Sequence, residues 1–182
     1  MTTDAVSLFL ALLAVLAEAA VAVAILLAVG GRLSQRLASM RTALADAVAP
    51  QALGLALAVA AVATAGSLYF SEVAHFTPCK LCWYQRICMY PLVPFLAWAA
   101  WRRDLRVRPV AVVLAGVGAL IASYHVLIER YPTLESGACD PTNPCSLVWV
   151  RRFGYLTIPT MALSAFALIL TLLAVARRDD GS

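Results

Sequence analysis

The sequence predicts an all-α integral membrane protein. Hydrophobic residues make up 63% of its 182 positions and charged residues only 13%, against about 45–50% and about 25% in a soluble domain. Five apolar runs each approach the roughly 20 residues that cross a bilayer. The basic residues mostly flank these runs. Such a chain cannot cover a globule with polar surface, so lipid must be its solvent. A nucleic-acid reading of the net charge of +4 is excluded by the same pattern, because the arginines form no stripe.

The five runs are Val6–Val29, Ala52–Phe70, Trp83–Trp101, Val110–Ile128 and Leu156–Ala176. The first lacks a basic leader, carries Asp4 and exceeds the 7–15 residues of a signal-peptide core, so it reads as a retained helix. Glu18 stands near its middle, where an ionised carboxylate is costly; it must be protonated, face the bundle or find a partner. Leu33, Leu37, Met40, Leu44 and Val48 recur at helical spacing with Arg32, Arg36 and Arg41 around them. That pattern fits a helix lying in the membrane interface and equally a linker helix. Pro91 and Pro94 predict a kink in the third run. Trp83, Tyr84 and Trp149 suit an interfacial aromatic belt, and Cys88 suits a small buried hydrophobe.

Orientation follows from the arginines. Five spans leave Arg32, Arg36, Arg41, Arg102, Arg103, Arg106, Arg108, Arg177 and Arg178 on one side, and Lys80, Arg86, Arg130, Arg151 and Arg152 on the other. Nine against five places the N-terminus outside and the C-terminal tail in the cytoplasm of a bacterial plasma membrane. Both cysteine-bearing loops then face outward, into a compartment that permits disulfides.

Cys79 and Cys82 form a C-x-x-C pair just before the third run, with Lys80 between them and Arg86 one helical turn beyond Cys82. Neighbouring cations stabilise a thiolate, the nucleophilic form. Cys139 and Cys145 lie in Gly137-Ala-Cys-Asp-Pro-Thr-Asn-Pro-Cys-Ser146, whose Asp-Pro and Asn-Pro steps signal turns that can bring the two sulfurs together. An accessible loop pair and a pair at the membrane surface make a relay. No haem, flavin or iron–sulfur motif is present, so the final acceptor should be dissolved in the bilayer, and a quinone is the common candidate. The same four cysteines also fit two inert disulfides in a non-enzymatic scaffold, or a zinc site, although five residues between Cys139 and Cys145 exceed the usual ligand spacing.

Three segments resemble the disulfide bond formation protein B (DsbB) family of membrane quinone reductases, in its short-loop (BdbC-like) type. They are Pro78-Cys-Lys-Leu-Cys-Trp-Tyr-Gln-Arg86, Ser123-Tyr-His-Val-Leu-Ile-Glu-Arg-Tyr-Pro132, and the loop cysteines followed by Phe153-Gly-Tyr-Leu-Thr-Ile-Pro159. The resemblance implies a four-helix transmembrane bundle at 51–178, with 1–50 as an additional N-terminal transmembrane helix and amphipathic loop. It implies that Cys79 and Cys82 are the quinone-coupled pair, with Cys82 meeting the ring. Arg86 would stabilise that thiolate–quinone pair, and His125 would lie near a quinone carbonyl. It also implies that Cys139 and Cys145 exchange with a DsbA-like thioredoxin-fold dithiol outside the cytoplasm, Cys139 being favoured for first attack. The expected activity is that of a disulfide-generating thiol:quinone oxidoreductase that uses menaquinone or ubiquinone and no metal. Vitamin K epoxide reductase relatives run a similar relay with the loop pair ahead of the C-x-x-C; here the C-x-x-C comes first.

Overall fold

The structure is a computed structural model that describes residues 2–135, 139–140 and 142–176. The motif residue Gly137 and the flanking Arg177 and Arg178 lie outside the described residues. The helices are α1 (Thr3–Gly30), α2 (Gln35–Val48), α3 (Ala52–Leu68), α4 (Lys80–Met89), α5 (Leu92–Arg102), α6 (Arg108–Arg130) and α7 (Ile158–Val175). Among the described residues, four helical stretches are long and apolar enough to cross a membrane: α1, the run from α2 through α3 to Val73, residues 105–130 containing α6, and α7. The chain is a multi-pass membrane protein, and its surface agrees: Phe9, Leu12, Leu26, Trp101 and Leu120 all stand exposed, an arrangement water would penalise at about 25 cal/mol per Å².

The third apolar run departs from the expected single kinked span. It forms two helices, α4 and α5, separated by a turn at Tyr90 and Pro91. Pro91 has no N–H to continue α4 and its ring crowds the preceding turn. Pro94 sits in the first turn of α5, where no intrahelical N–H partner is required. Leu156 and Thr157, expected to open the last span, instead pair with Arg152 and Arg151 in a short antiparallel hairpin. Three residues, 153–155, connect its strands. Phe153 and Gly154 both have positive φ, 50° and 78°, as the central pair of a primed turn closed by the Tyr155 N–H donating to the Arg152 carbonyl at 3.2 Å.

Small residues let the helices approach closely, as lipid-solvated bundles demand. Ala52, Ala56 and Ala60 form one buried row on α3, and Ala111, Ala115, Gly118 and Ala122 another on α6. Both pack with Leu92, Leu96, Phe166, Ile169 and Leu173 into the main core, which also takes in Cys88. Gly118 is required by contact: a Cβ there would overlap the ring of Phe166, which is fully buried. Gly118→Ala is therefore expected to cost about 1–3 kcal/mol through overpacking. A thermal melt in detergent should show Tm falling by about 2–4 °C per kcal/mol; an unchanged Tm would mean the α6–α7 crossing is looser than described.

α1 uses the same device, with Ser7, Ala11, Ala14 and Ala17 buried along one face against α7 and the hairpin. Glu18 finds its partners within the chain: Ser164 Oγ donates to Oε1 at 2.9 Å and the Tyr155 hydroxyl to Oε2 at 2.7 Å. Arg152 ties the N-terminal end of α1 by ion-pairing with Asp4 and donating to Ser7 Oγ at 2.7 Å. In α2, Leu33 just ahead of the helix, Met40 and Leu44 are exposed and no residue is buried, as either reading of that amphipathic segment requires.

Candidate functional site

Cys79 occupies the N-cap of α4, in extended backbone, and its sulfur accepts the Cys82 N–H at 3.4 Å. The C-x-x-C spacing thus starts the helix at Lys80, and Cys82 falls in its first turn. The positive helix end favours an anion at the N-cap sulfur, whereas the hydrogen bond to Cys79, with burial, pushes the Cys82 thiol up. Both cysteines are free thiols with their sulfurs 3.0 Å apart. Cys79 is held far below an ordinary thiol, at about 4, chiefly because the Cys82 side chain hydrogen-bonds to it. Burial opposes this, and a hydrogen bond from His125 adds to it.

His125 comes from the C-terminal part of α6. Its Nε2 lies 2.9 Å from the carbonyl oxygen of Cys145 and 3.7 Å from Cys79 Sγ, while Nδ1 lies 2.9 Å from Gln85 Nε2. A carbonyl only accepts, so Nε2 carries the hydrogen and Nδ1 accepts from the Gln85 amide. One imidazole therefore links the helix pair to the loop pair.

Cys139 and Cys145 form a disulfide. Their loop is docked by side chains: Cys145 N–H and Ser146 Oγ donate to the two Glu135 carboxylate oxygens at 2.7 and 2.8 Å, and Asn143 Nδ2 donates to the Pro78 carbonyl at 3.2 Å. Cys145 is buried with Cys79, Leu81 and Ile128, whereas Cys139 is only partly covered at the edge of this cluster.

Cys82 packs against this same cluster and also borders a cavity of about 440 Å³. Gln85, Arg86 and Cys82 stand at one end beneath a stack of Phe70, Phe76 and Trp149, whose successive ring centroids are 5.8 and 5.0 Å apart. Beyond them the lining is apolar, running down α3 from Ser67 to Ala58 and down α7 from Ile158 to Leu168. On α3 that is about 13 Å at 1.5 Å per residue. Arg86 is buried; its Nε donates to Ser67 Oγ at 3.0 Å, its Nη2 to the Ser67 carbonyl at 3.1 Å, and its guanidinium lies over the Trp83 ring. Cys79 and His125 are not among the residues lining this cavity.

Four cysteines in two contiguous pairs, with an apolar cavity at one of them, agree with what comparison with known proteins returns. A family model described as "Disulfide bond formation protein DsbB" matches residues 49–176. The chain belongs to the DsbB family. It is similar to the "Probable disulfide formation protein" of Oceanobacillus iheyensis, with 40% identity over 122 residues, 66% of this chain and 84% of that one. It is 43% identical over 122 residues to "Disulfide bond formation protein C" of Bacillus subtilis, covering 66% and 88%. It is 40% identical over 107 residues to the "SPbeta prophage-derived disulfide bond formation protein B" of that organism, covering 58% and 72%. No solved structure matches significantly. As a DsbB-family protein, the chain serves disulfide bond formation and is an oxidoreductase.

The sequence-predicted site residues fall into two groups within this DsbB-type bundle. Cys79, Cys139, Cys145 and His125 meet on one side of α4, and Cys82 and Arg86 border the cavity. Sequence reasoning missed Gln85, Glu135, Ser67 and the α1 residues of the cavity wall. Gln85 had a usable signal, standing three residues after Cys82 on the same helical face; Glu135 and Ser67 had none. Cys79, Cys82 and His125 also place three donor atoms within 4.8 Å, close enough to hold a soft metal ion.

The depressed Cys79 thiol has a measurable sign. In the reduced protein, thiolate absorbance is expected to persist from pH 8 down to a midpoint near 4. Cys82→Ser and His125→Ala each weaken donation to the sulfur and should move that midpoint upward. Since the folded value lies below the ordinary 9.0, ionisation adds stability that is complete above pH 9 and disappears as pH falls through about 4. A wild-type midpoint above 8 would overturn this account.

Proposed function

We propose that the protein is a thiol:quinone oxidoreductase that reoxidises an extracytoplasmic, DsbA-like thioredoxin-fold dithiol. In this reading residues 51–178 are the catalytic unit, α4 and α5 together make a fifth crossing, the N-terminus and both cysteine loops face outward, and the tail is cytoplasmic. A partner thiolate attacks Cys139, the more accessible loop sulfur, and Cys145 leaves as thiolate. The partner's second thiol then displaces Cys139, so the partner leaves as a disulfide and the loop as a dithiol. Cys145 next attacks Cys79 of an oxidised Cys79–Cys82 pair, and Cys139 resolves the resulting bond. Two electrons now reside on Cys79 and Cys82, while the loop disulfide is restored. This is the state in which one pair is bonded and the other free. A quinone supplies a two-electron, two-proton acceptor, and its reduction to quinol regenerates the Cys79–Cys82 disulfide.

The observation that carries this reading is the cavity at Cys82. Its shape and lining fit the group: a redox thiol, a guanidinium and an amide at one end suit a quinone ring and its carbonyls, and the apolar shaft suits an isoprenoid tail. Its volume lies within the usual range for small-molecule sites. Arg86 and Gln85 would hold the ring, with Arg86 balancing negative charge near Cys82. The aromatic stack keeps water from that end. His125 reaches this site only through Gln85 and acts instead between the two sulfur pairs.

Purified protein supplied with a reduced thioredoxin-fold partner and a soluble quinone should consume quinone absorbance in proportion to partner oxidised. A partner variant lacking its second thiol should open the wild-type loop disulfide, release Cys145 as thiolate and stay bonded to Cys139 on a non-reducing gel, with peptide mapping placing the bond at Cys139 and not Cys145. No quinone loss under these conditions would overturn the proposal.

A further inference from the structure

The family match begins at residue 49, so α1 lies outside it, yet α1 borders the cavity at Cys82. Leu10, Leu13, Ala14, Leu16 and Ala17 contribute to its lining. Two contacts show how α1 is seated. Leu10 packs onto α3 where Gly66 leaves room, since a Cβ at Gly66 would lie 2.8 Å from Leu10 Cδ1. Eight residues on, Glu18 is hydrogen-bonded to Ser164 of α7 and to Tyr155. Arg152 fixes the N-terminal end through Asp4 and Ser7. α1 therefore bridges α3 and α7 across the groove between them, and its polar ties set the rotation that turns Leu13 and Ala17 inward. Leu10 stands near the head of the cavity, at the level of Gly66 and Ser67. Ala17 stands beside Ala165, deep in the shaft, because the neighbouring Glu18 meets Ser164.

We propose that α1 is the outer wall of the electron-acceptor site, and that Leu13, Ala14, Leu16 and Ala17 contact the acceptor's apolar tail and discriminate among quinones by that tail. The inference rests on the quinone reading above. Without α1 the groove between α3 and α7 is open along its length, so a tail lying there meets lipid. With α1 the tail meets side chains, and its length and bulk become selectable.

The test uses the full wild-type chain in lipid nanodiscs and a quinone carrying a photoreactive azide on its tail, with labelled peptides mapped by mass spectrometry. Label in the segment Leu10–Ala17, displaced by excess unlabelled quinone, is the expected result. Displaceable label confined to α3 and α7 would overturn the role of α1 while leaving the quinone reading intact. Absence of any displaceable label would overturn both. As a second measurement, Ala17→Phe should raise KM at least tenfold for a long-tailed quinone and less than twofold for one with no tail. Its exchange with the thioredoxin-fold partner should stay at the wild-type rate, which also reports that the variant is folded. The cavity-enlarging Leu13→Ala should shift the same KM ratio without adding bulk. Leu8→Ala, exposed on the face of α1 opposite Ala17, should leave it unchanged. Equal KM changes for tailed and tail-less quinones in both cavity variants would reject α1 as a tail-selecting wall.

Discussion

Cys82→Ser is expected to lower steady-state quinone reduction by about 10³-fold or more, the scale of losing an essential nucleophile, while leaving the first exchange with the partner dithiol intact. The two readouts separate because the two sulfurs of the C-x-x-C pair, 3.0 Å apart, have different further neighbours. Cys82 borders the cavity, whereas Cys79 lies against His125 and the buried Cys145. With serine at position 82 the loop disulfide can still be opened by an incoming thiolate, but no helix-pair disulfide can form to deliver electrons inward. A single-turnover experiment that follows partner oxidation on a gel and quinone absorbance in parallel resolves both steps. Full quinone turnover in this variant would mean that electrons leave from another sulfur, and the assignment of the cavity would fall with it.

His125→Ala should slow transfer between the two pairs by about 10²-fold, the lower end of what a positioned proton donor supplies. The imidazole N–H is the link that touches both: it reaches the Cys145 carbonyl at 2.9 Å and the Cys79 sulfur at 3.7 Å. Removing it loosens the loop from the helix pair and takes a donor from the sulfur that must leave when Cys139 resolves the intermediate. The measurement is the rate at which a pre-reduced loop pair reduces the helix pair in the absence of quinone, read by alkylation and mass shift. Quinone KM in this variant should change little, because Gln85 rather than His125 lines the cavity. If KM rose and inter-pair transfer did not change, His125 would belong at the ring.

Much of this architecture was legible because lipid makes a simple demand on sequence. A run such as Val110–Ile128 must satisfy its own backbone and offer apolar side chains all round, so its length and hydropathy suffice to find α6. The third run misled at Pro91, where hydropathy continues across the turn that ends α4; proline chemistry announced a disturbance there but not whether the helix would bend or stop. Leu156 and Thr157 were taken into the last span because nothing apolar distinguishes a buried hairpin strand from a helix start. In the site, the cysteine pairs were visible because their chemistry is carried by residue type and spacing. The bridging position of His125 was not, since it depends on where the loop folds back onto α6. Glu135 is a further case: its carboxylate meets Cys145 and Ser146 ten and eleven residues away with no local motif to mark it. Glu18 drew notice by its cost in an apolar run, but its partners Ser164 and Tyr155 lie 146 and 137 residues distant, beyond any periodicity.

The stack of Phe70, Phe76 and Trp149 roofs the cavity head with an indole, while Trp98 and Trp101 sit on α5, away from the cavity lining. The chain thereby carries its own optical reporter. An electron-poor ring seated under Trp149 quenches its emission, together with that of Trp83 beside Arg86, and leaves the α5 tryptophans as an internal reference, so acceptor affinity can be titrated by fluorescence in unmodified protein, with no electrons flowing.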